Sequence, residues 1–360
     1  MSVDSLINRK LHLKEQYNRH RARKRLFVGI LIPVVILLIG FAVACGSADI
    51  KFMDVYAAIF RKFFPLILGG TDAGHVDIII WNLRLPRILM GVLAGIALGS
   101  TGAVMQVILC NPLADPYMLG ISSAAGFGAS LAIVLGVGIM DGPNMIIGNA
   151  FVFSCLSSGL ILILSGRRGA GTETMILTGL ALLFFFQAMM TIIQYFGNAD
   201  AVKAAVFWAI GDLGKADWRK LSIAAPIICA GEALLIWKSC DLNIMNTGDA
   251  GAKSLGINVQ RTRIFALSVC TFMVAAIVSF TGTIGFIGLV APHIARMIIG
   301  IDNRILIPAS GLIGAVLLVF SDTLARTIIP PIILPVGAVT AFLGVPLFVY
   351  LILKRNGDTA

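Results

Sequence analysis

Along the chain, long apolar runs alternate with short breaks that carry charge, Pro or Gly. Ten runs stand out, near 26–46, 85–109, 116–138, 145–165, 173–196, 221–238, 263–282, 284–298, 305–326 and 336–353. Most approach the roughly 20 residues that a helix needs to cross the hydrocarbon core of a bilayer. They are continuous, whereas a barrel strand alternates apolar and polar positions over about ten residues. With no water in the bilayer to serve the backbone, each run must satisfy its N–H and C=O groups within a helix. The pattern predicts an all-α polytopic membrane protein with about ten transmembrane helices. A single transmembrane domain spans 26–355, between a basic segment 1–25 and a short tail 356–360.

Composition removes the soluble alternatives: 58% of the residues are apolar, 13% are charged and the mean hydropathy is +0.94. Charge then sets the expected sidedness, because cytoplasmic segments retain Lys and Arg. The first 25 residues alone carry eight: Arg9, Lys10, Lys14, Arg19, Arg21, Arg23, Lys24 and Arg25. With that end inside and ten spans, the inner segments hold 18 of the 28 basic residues against 8 acids, and the outer ones hold 10 against 9. Both termini are therefore expected in the cytoplasm. The net charge of +10 reads as topology and requires no nucleic-acid partner.

Ala42-Val43-Ala44 before Cys45 resembles a signal-peptidase site or a weak lipoprotein box. The apolar stretch from Leu26 to Ala44 exceeds the usual 7–15-residue signal core, so the segment reads as a retained first span. The six cysteines form no CxxC pair and mostly sit in or beside spans, where Cys is a small apolar residue. Neither a metal site nor a disulfide framework is expected.

Outer segments are expected at about 47–84, about 197–220 and 327–335. The first mixes Phe52, Tyr56, Phe60, Phe63 and Phe64 with Lys51, Arg61 and Lys62, a pattern that suits an amphipathic helix on the interface. The second carries Phe207, Trp208 and Trp218 and reads as an interfacial anchor. Gly91, Gly95 and Gly99 share one helix face and allow another backbone to approach closely. The inner loop, about 239–262, contains Asn246-Thr247-Gly248-Asp249 and predicts a short helix over Ala250–Leu255 ended by Gly256. Its Gly248…Gly251-Ala-Lys253-Ser254 superficially suggests a phosphate-binding loop, but Ala252 breaks the Gly-Lys-Ser adjacency. No other segment supplies an ATP site, so energy from ATP would have to come through a partner.

Several longer motifs resemble FecCD-type permeases, in order and across about 26–355. They are Leu83-Arg84-Leu85-Pro86-Arg87, Gly102-Ala-Val-Met-Gln106, Asn111-Pro112-Leu113-Ala114-Asp115-Pro116 with Leu119-Gly120, and Asp217-Trp218-Arg219. Leu255-Gly256, the stretch from Gly285 through Pro292-His293 to Arg296, and Pro335 to Pro346 complete the likeness. The resemblance implies the type II ABC importer permease fold, importing iron–siderophore, haem or cobalamin by alternating access. It further implies a homodimer in the cell (inner) membrane, two cytoplasmic ABC ATPase subunits that use ATP-Mg, and an extracytoplasmic substrate-binding protein. The chain itself would be no enzyme and would bind no cofactor.

Residue by residue, the resemblance implies that Arg84, Arg87 and Arg326 dock acidic residues of the binding protein. Thr247, Gly248, Asp249, Ala250, Lys253, Leu255 and Gly256 would form the coupling element that enters a groove of the ATPase. Asn111 and Leu113, with Thr172 and Glu173, would form the cytoplasmic gate, although the charge of Glu173 departs from a small hydroxyl pair. His293 and Glu232 are intramembrane polar residues, which are costly and so attract functional readings. His293 reads as structural, and Glu232 as a packing or near-interface group. The rival reading, an ion-coupled secondary transporter, would favour paired intramembrane carboxylates or broken helices at the midplane.

Overall fold

The computed structural model describes residues 3–46, 50–63, 75–166 and 171–357. All regular structure among them is helical. The helices are α1 (Val3–Ala44), α2 (Phe52–Phe63), α3 (His75–Ile108), α4 (Ile121–Leu135), α5 (Met145–Gly166), α6 (Thr172–Tyr195) and α7 (Ala199–Ile210). They continue as α8 (Trp218–Trp237), α9 (Ser239–Met245), α10 (Gly248–Ser254), α11 (Val259–Thr281), α12 (Ile287–Ile299), α13 (Asn303–Thr327) and α14 (Val336–Gly357). Seven are long and apolar enough to cross a membrane: α1, α3, α5, α6, α8, α11 and α13. Three shorter apolar helices, α4, α12 and most of α14, take the remaining predicted runs in order.

The centre of the bundle is α3, lying along α13 with α11 and α12 beside it. The small-residue face predicted on α3 is what permits this packing. A Cβ at Gly95 would meet the Ala315 backbone, one at Gly99 would overlap the Ser310 carbonyl, and one at Gly102 would overlap the Gly288 carbonyl. Helices without a hydrophobic driving force between them gain stability from such close backbone approach.

At 13 residues, α12 is about 20 Å long, shorter than the ~30 Å hydrocarbon core. The irregular stretch Gly282–Phe286 that precedes it is held by protein groups. The Asp212 N–H donates to the Thr281 carbonyl at 2.7 Å, the Ile284 N–H to the Tyr117 hydroxyl at 3.2 Å, and the Thr283 hydroxyl to the Ala209 carbonyl. Non-helical backbone at membrane depth is tolerated only when it is served in this way.

Several boundaries differ from the sequence expectation. Helix α1 runs back to Val3, so the basic segment continues the first span as helix. Helix α3 begins at His75, passes through a π-helical turn at Ile80–Arg84, and shortens the expected outer segment 47–84. The polar run Trp81-Asn82-Leu83-Arg84 reads as a boundary, yet the partners described below hold Arg84 at 8% exposure. The fourth helix starts at Ile121, five residues late, because Pro116–Leu119 forms a 3-10 turn.

The predicted amphipathic helix is present as α2. Val55 and Ala58 are buried against α1 and α3, while Met53 and Phe60 are exposed; Phe64 lies outside the described residues. Trp208 is not an interfacial anchor. It is 7% exposed in α7, because its side chain packs into the main apolar core of the bundle, and the loop at Gly282 lies against its backbone carbonyl.

Candidate functional site

Helix α1 ends with carbonyls that have no intrahelical partner, at the negative end of its dipole. Two arginines from distant helices cap it. Arg84 donates to the carbonyls of Val43 at 2.7 Å and Ala44 at 3.0 Å. Arg326 donates to Cys45 at 2.9 Å and Ala42 at 3.0 Å. Gly46 follows at φ +157°, and a Cβ there would press on the Arg84 guanidinium.

Between Arg326 and Arg87 lies a carboxylate that no motif in the sequence marks. Asp322, 1% exposed, accepts two bonds from Arg87 Nε, at 3.0 and 3.2 Å, and one from Arg87 Nη2 at 2.8 Å. Its second oxygen also accepts from Arg326 Nε at 3.0 Å. The three predicted docking arginines therefore converge on one another, and each has intramolecular partners. The available signal was the Asp322/Arg326 spacing of four within an apolar run, one helix turn apart.

On the opposite side of the bundle, α9 and α10 form a compact turn-helix element. The α10 helix closes with a Schellman motif: the Ile257 N–H bonds the Ala252 carbonyl, the Gly256 N–H bonds the Lys253 carbonyl, and Gly256 sits at φ +84°. A left-handed conformation costs a residue with a Cβ about 1–2 kcal/mol. Gly256→Ala is expected to lower stability by about that amount, read as a lower melting temperature in detergent. Leu255 is 63% exposed at the tip, and Lys253 is exposed beside it. Thr247 bonds back to the Ile244 carbonyl at 2.8 Å.

Arg263 ties this element to the bundle. It is 7% exposed on α11 and donates through Nη2 to Asp249 at 2.7 Å and through Nε to the Ile108 carbonyl, the last of α3, at 3.0 Å. A second clamp joins α9 to the start of α13. The Asn243 amide donates to Asp302 at 2.7 Å, and its oxygen accepts from the Asn303 N–H at 2.7 Å. Neither Arg263 nor Asn243 was legible as functional, because each reads as an ordinary polar residue flanking a span.

The gate candidates Asn111 and Leu113 occupy the turn after α3, where Asn111 Oδ1 accepts from the Leu113 N–H at 2.9 Å. Asp115 follows and caps the 3-10 turn through the Tyr117 N–H at 2.8 Å. Burial lifts the Asp115 carboxyl to about 6, with that N–H pulling the other way. Thr172 and Glu173 form the first turn of α6, where an acid suits the helix dipole. No hydrogen bond or ion pair joins the two candidate pairs among the described residues. Their elements do meet, since Gly179 of α6 packs against the Met118 carbonyl. A cavity of about 340 Å³ separates the Asn111 turn from the start of α10, with Arg296 and Met245 in its wall.

Of the intramembrane polar residues, His293 is 7% exposed and stacks edge-on against Phe348 at 5.9 Å between centroids. Glu232 lies in α8, with its Oε2 buried and without a hydrogen-bond partner among the described residues. Among the described residues no group of three His, Cys, Asp or Glu is placed to hold a metal ion.

Among the described residues, the site contains arginines, carboxylates and helix ends and no nucleophile beside a base. Instead it links a surface helix on one side to the end of the central helix, and that helix to a cluster of arginines on the other side. Comparisons with known proteins agree with a transport role. A curated ABC transporter permease protein of Methanocaldococcus jannaschii is 40% identical over 353 residues, covering 96% of this chain and 99% of that protein. The hemin transport system permease protein HmuU of Yersinia pestis is 36% identical over 93% of this chain and 98% of its own length. The vitamin B12 import system permease protein BtuC of Escherichia coli is 37% identical over 81% of this chain and 88% of its own. A solved chain described as an inward-facing metal-chelate type ABC transporter superposes with a TM-score of 0.80 at 26% identity, covering 92% of this chain and 99% of that one. The model of the FecCD transport family matches residues 34–354, and the chain belongs to that family.

Proposed function

We propose that this chain is the permease subunit of a binding-protein-dependent ABC importer, and that it carries a metal chelate of the haem, cobalamin or iron–siderophore class by alternating access. The observation that carries the mechanism is the Arg263 bridge, because it gives α10 a rigid connection to α3. A displacement of α10 by an ATPase then reaches the Asn111–Leu113 turn through Ile108 rather than dissipating in a loop. Thr247, Gly248, Asp249, Ala250, Lys253, Leu255 and Gly256 present the surface for that contact. Thr172 and Glu173 complete the gate on the same side. Two copies pair around the path, each with an ATPase that hydrolyses ATP-Mg, and both termini face the cytoplasm of a cell whose inner membrane holds the complex. The haem and B12 relatives support the cargo class, and the basic N-terminus supports the orientation.

The test is chelate uptake into proteoliposomes that contain this chain, with and without the ATPase. Uptake is expected to require the ATPase and to vanish with a hydrolysis-dead variant of it. Uptake that persisted on an ion gradient alone would replace this reading with a secondary carrier.

In the same proposal, Arg84, Arg87 and Arg326 face the binding protein, while Arg84 and Arg326 also cap α1 and Arg87 holds Asp322. Their side chains are about a tenth exposed or less and already bonded within the chain, so their contribution to docking is through their charge and falls mainly on orientation and association rate. Because Arg84 also caps α1, Arg84→Gln should be assayed for both melting temperature and association rate with the binding protein. A lower rate at an unchanged melting temperature supports docking, and an unchanged rate removes Arg84 from the interface.

A further inference from the structure

A groove of about 550 Å³ opens between α5, α8 and α11, away from the residues assigned to coupling, gating and docking. Its polarity is graded. Lys215 and Arg219 stand at the mouth, and one and two turns further along α8 the same wall continues as Ile223 and Ile227. Phe151 of α5 and Phe280 of α11 complete the apolar part.

The charge at the mouth is unbalanced. Asp217 is already engaged: it accepts from the Lys220 N–H and pairs with the Lys220 ammonium at 3.0 Å. Partial burial opposes its ionisation, but those bonds prevail and hold its carboxyl below the usual range. The side chains of Lys215 and Arg219 have no hydrogen-bonding or ion-pair partner among the described residues, and both are exposed.

A separate feature fixes the level of that mouth. Trp218, next to Arg219, stacks on Trp81 at 5.5 Å and donates from its indole nitrogen to the Trp81 carbonyl at 2.7 Å. Lys62 lies 6.0 Å from the centre of the Trp81 ring. Paired tryptophans with a neighbouring lysine mark the headgroup layer of a bilayer. The cations thus lie at the depth of lipid phosphates, and the isoleucines and phenylalanines at the depth of acyl chains.

We propose that the groove between α5, α8 and α11 is a binding site for one anionic phospholipid, with its phosphate on Lys215 and Arg219 and an acyl chain along Ile223, Ile227 and Phe151. Two cations with one apolar trough match a headgroup and a tail in a single molecule. A free anion would use only the mouth, and a neutral lipid only the trough. The groove is lined by α5, α8 and α11, so a bound lipid would brace α8 against the other two, and α8 leads directly into α9 and α10.

The test is native mass spectrometry of the detergent-purified full chain titrated with phosphatidylglycerol, with phosphatidylcholine, and with inorganic phosphate as competitor. The wild type is expected to hold one phosphatidylglycerol at least tenfold more tightly than phosphatidylcholine. The Lys215→Glu/Arg219→Glu double variant should lose that preference, and Ile227→Trp should weaken both lipids by filling the trough. The substituted cations are exposed, so lipid-free melting temperatures should stay near that of the wild type. As a second readout, phosphatidylglycerol should raise the melting temperature of the wild type and not that of the double variant. Retention of the preference by the double variant, or equal binding of the two lipids by the wild type, would overturn the assignment. Displacement of the lipid by phosphate together with indifference to Ile227→Trp would show a free-anion site and overturn the lipid.

Discussion

Replacing Asp322 with alanine is expected to cost about 3–5 kcal/mol of stability, the range seen when one partner of a buried ion pair is removed. Arg87 and the side chain of Arg326 are each about a tenth exposed or less, and both direct bonds at this carboxylate. Without it, two buried guanidinium groups lose their shared counter-charge, with Arg84 close enough to add repulsion. The loss should appear as a lower melting temperature in detergent and a reduced yield of membrane-inserted protein. Asp322→Asn keeps one acceptor and the volume, and should fall between alanine and the wild type. A melting temperature unchanged in Asp322→Ala would mean that water already solvates these arginines and that the cluster is not a structural unit.

Arg263→Met is expected to act on transport rather than on folding. The Asp249 side chain is 39% exposed, so it can be hydrated once its partner is gone. The stability loss should then stay near the ~1–3 kcal/mol of an orphaned polar group at Ile108. What disappears is the bridge between α10 and α3. On the proposed mechanism, ATP hydrolysis by the complex continues while chelate moved per ATP falls at least tenfold, a coupling loss of about 1.4 kcal/mol. The ratio of uptake to phosphate release in proteoliposomes measures this directly. A double-mutant cycle with Asp249→Asn separates the pair from the Ile108 contact, and an unchanged ratio would remove Arg263 from the coupling route.

The spans were legible because burial in lipid demands continuous apolar sequence, and ten runs led to ten apolar helices. The glycine face of α3 was equally readable, since only a residue without a Cβ permits the approach to Ser310 and Ala315. The sequence was a poor guide where tertiary partners override a local signal. Arg84 reads as the end of a span because an unpaired arginine would be, but the carbonyls of α1 let α3 continue outward through a π turn. Trp208 reads as an interfacial anchor by composition, and its burial comes from core residues distant in the chain.

Among the functional candidates, the short helix expected over Ala250–Leu255 is present as Gly248–Ser254, because glycines and capping residues punctuate it. Its mechanical link was missed, because Arg263 and Ile108 are 155 residues apart and no local pattern joins them. Asp322 was missed for the same reason. Counted as one more outer charge, it gave no hint that it neutralises an arginine 235 positions earlier.

The capping of α1 also carries a consequence in time. Its terminal carbonyls wait for Arg84, about 40 residues on, and for Arg326, 281 residues beyond Cys45. At a synthesis rate of about 5–20 residues per second, α1 stands half-fastened for roughly tens of seconds. Its final clasp arrives only with the ninth span, so a chain truncated before α13 should leave α1 free to drift from the bundle, exposed to quality-control proteases throughout.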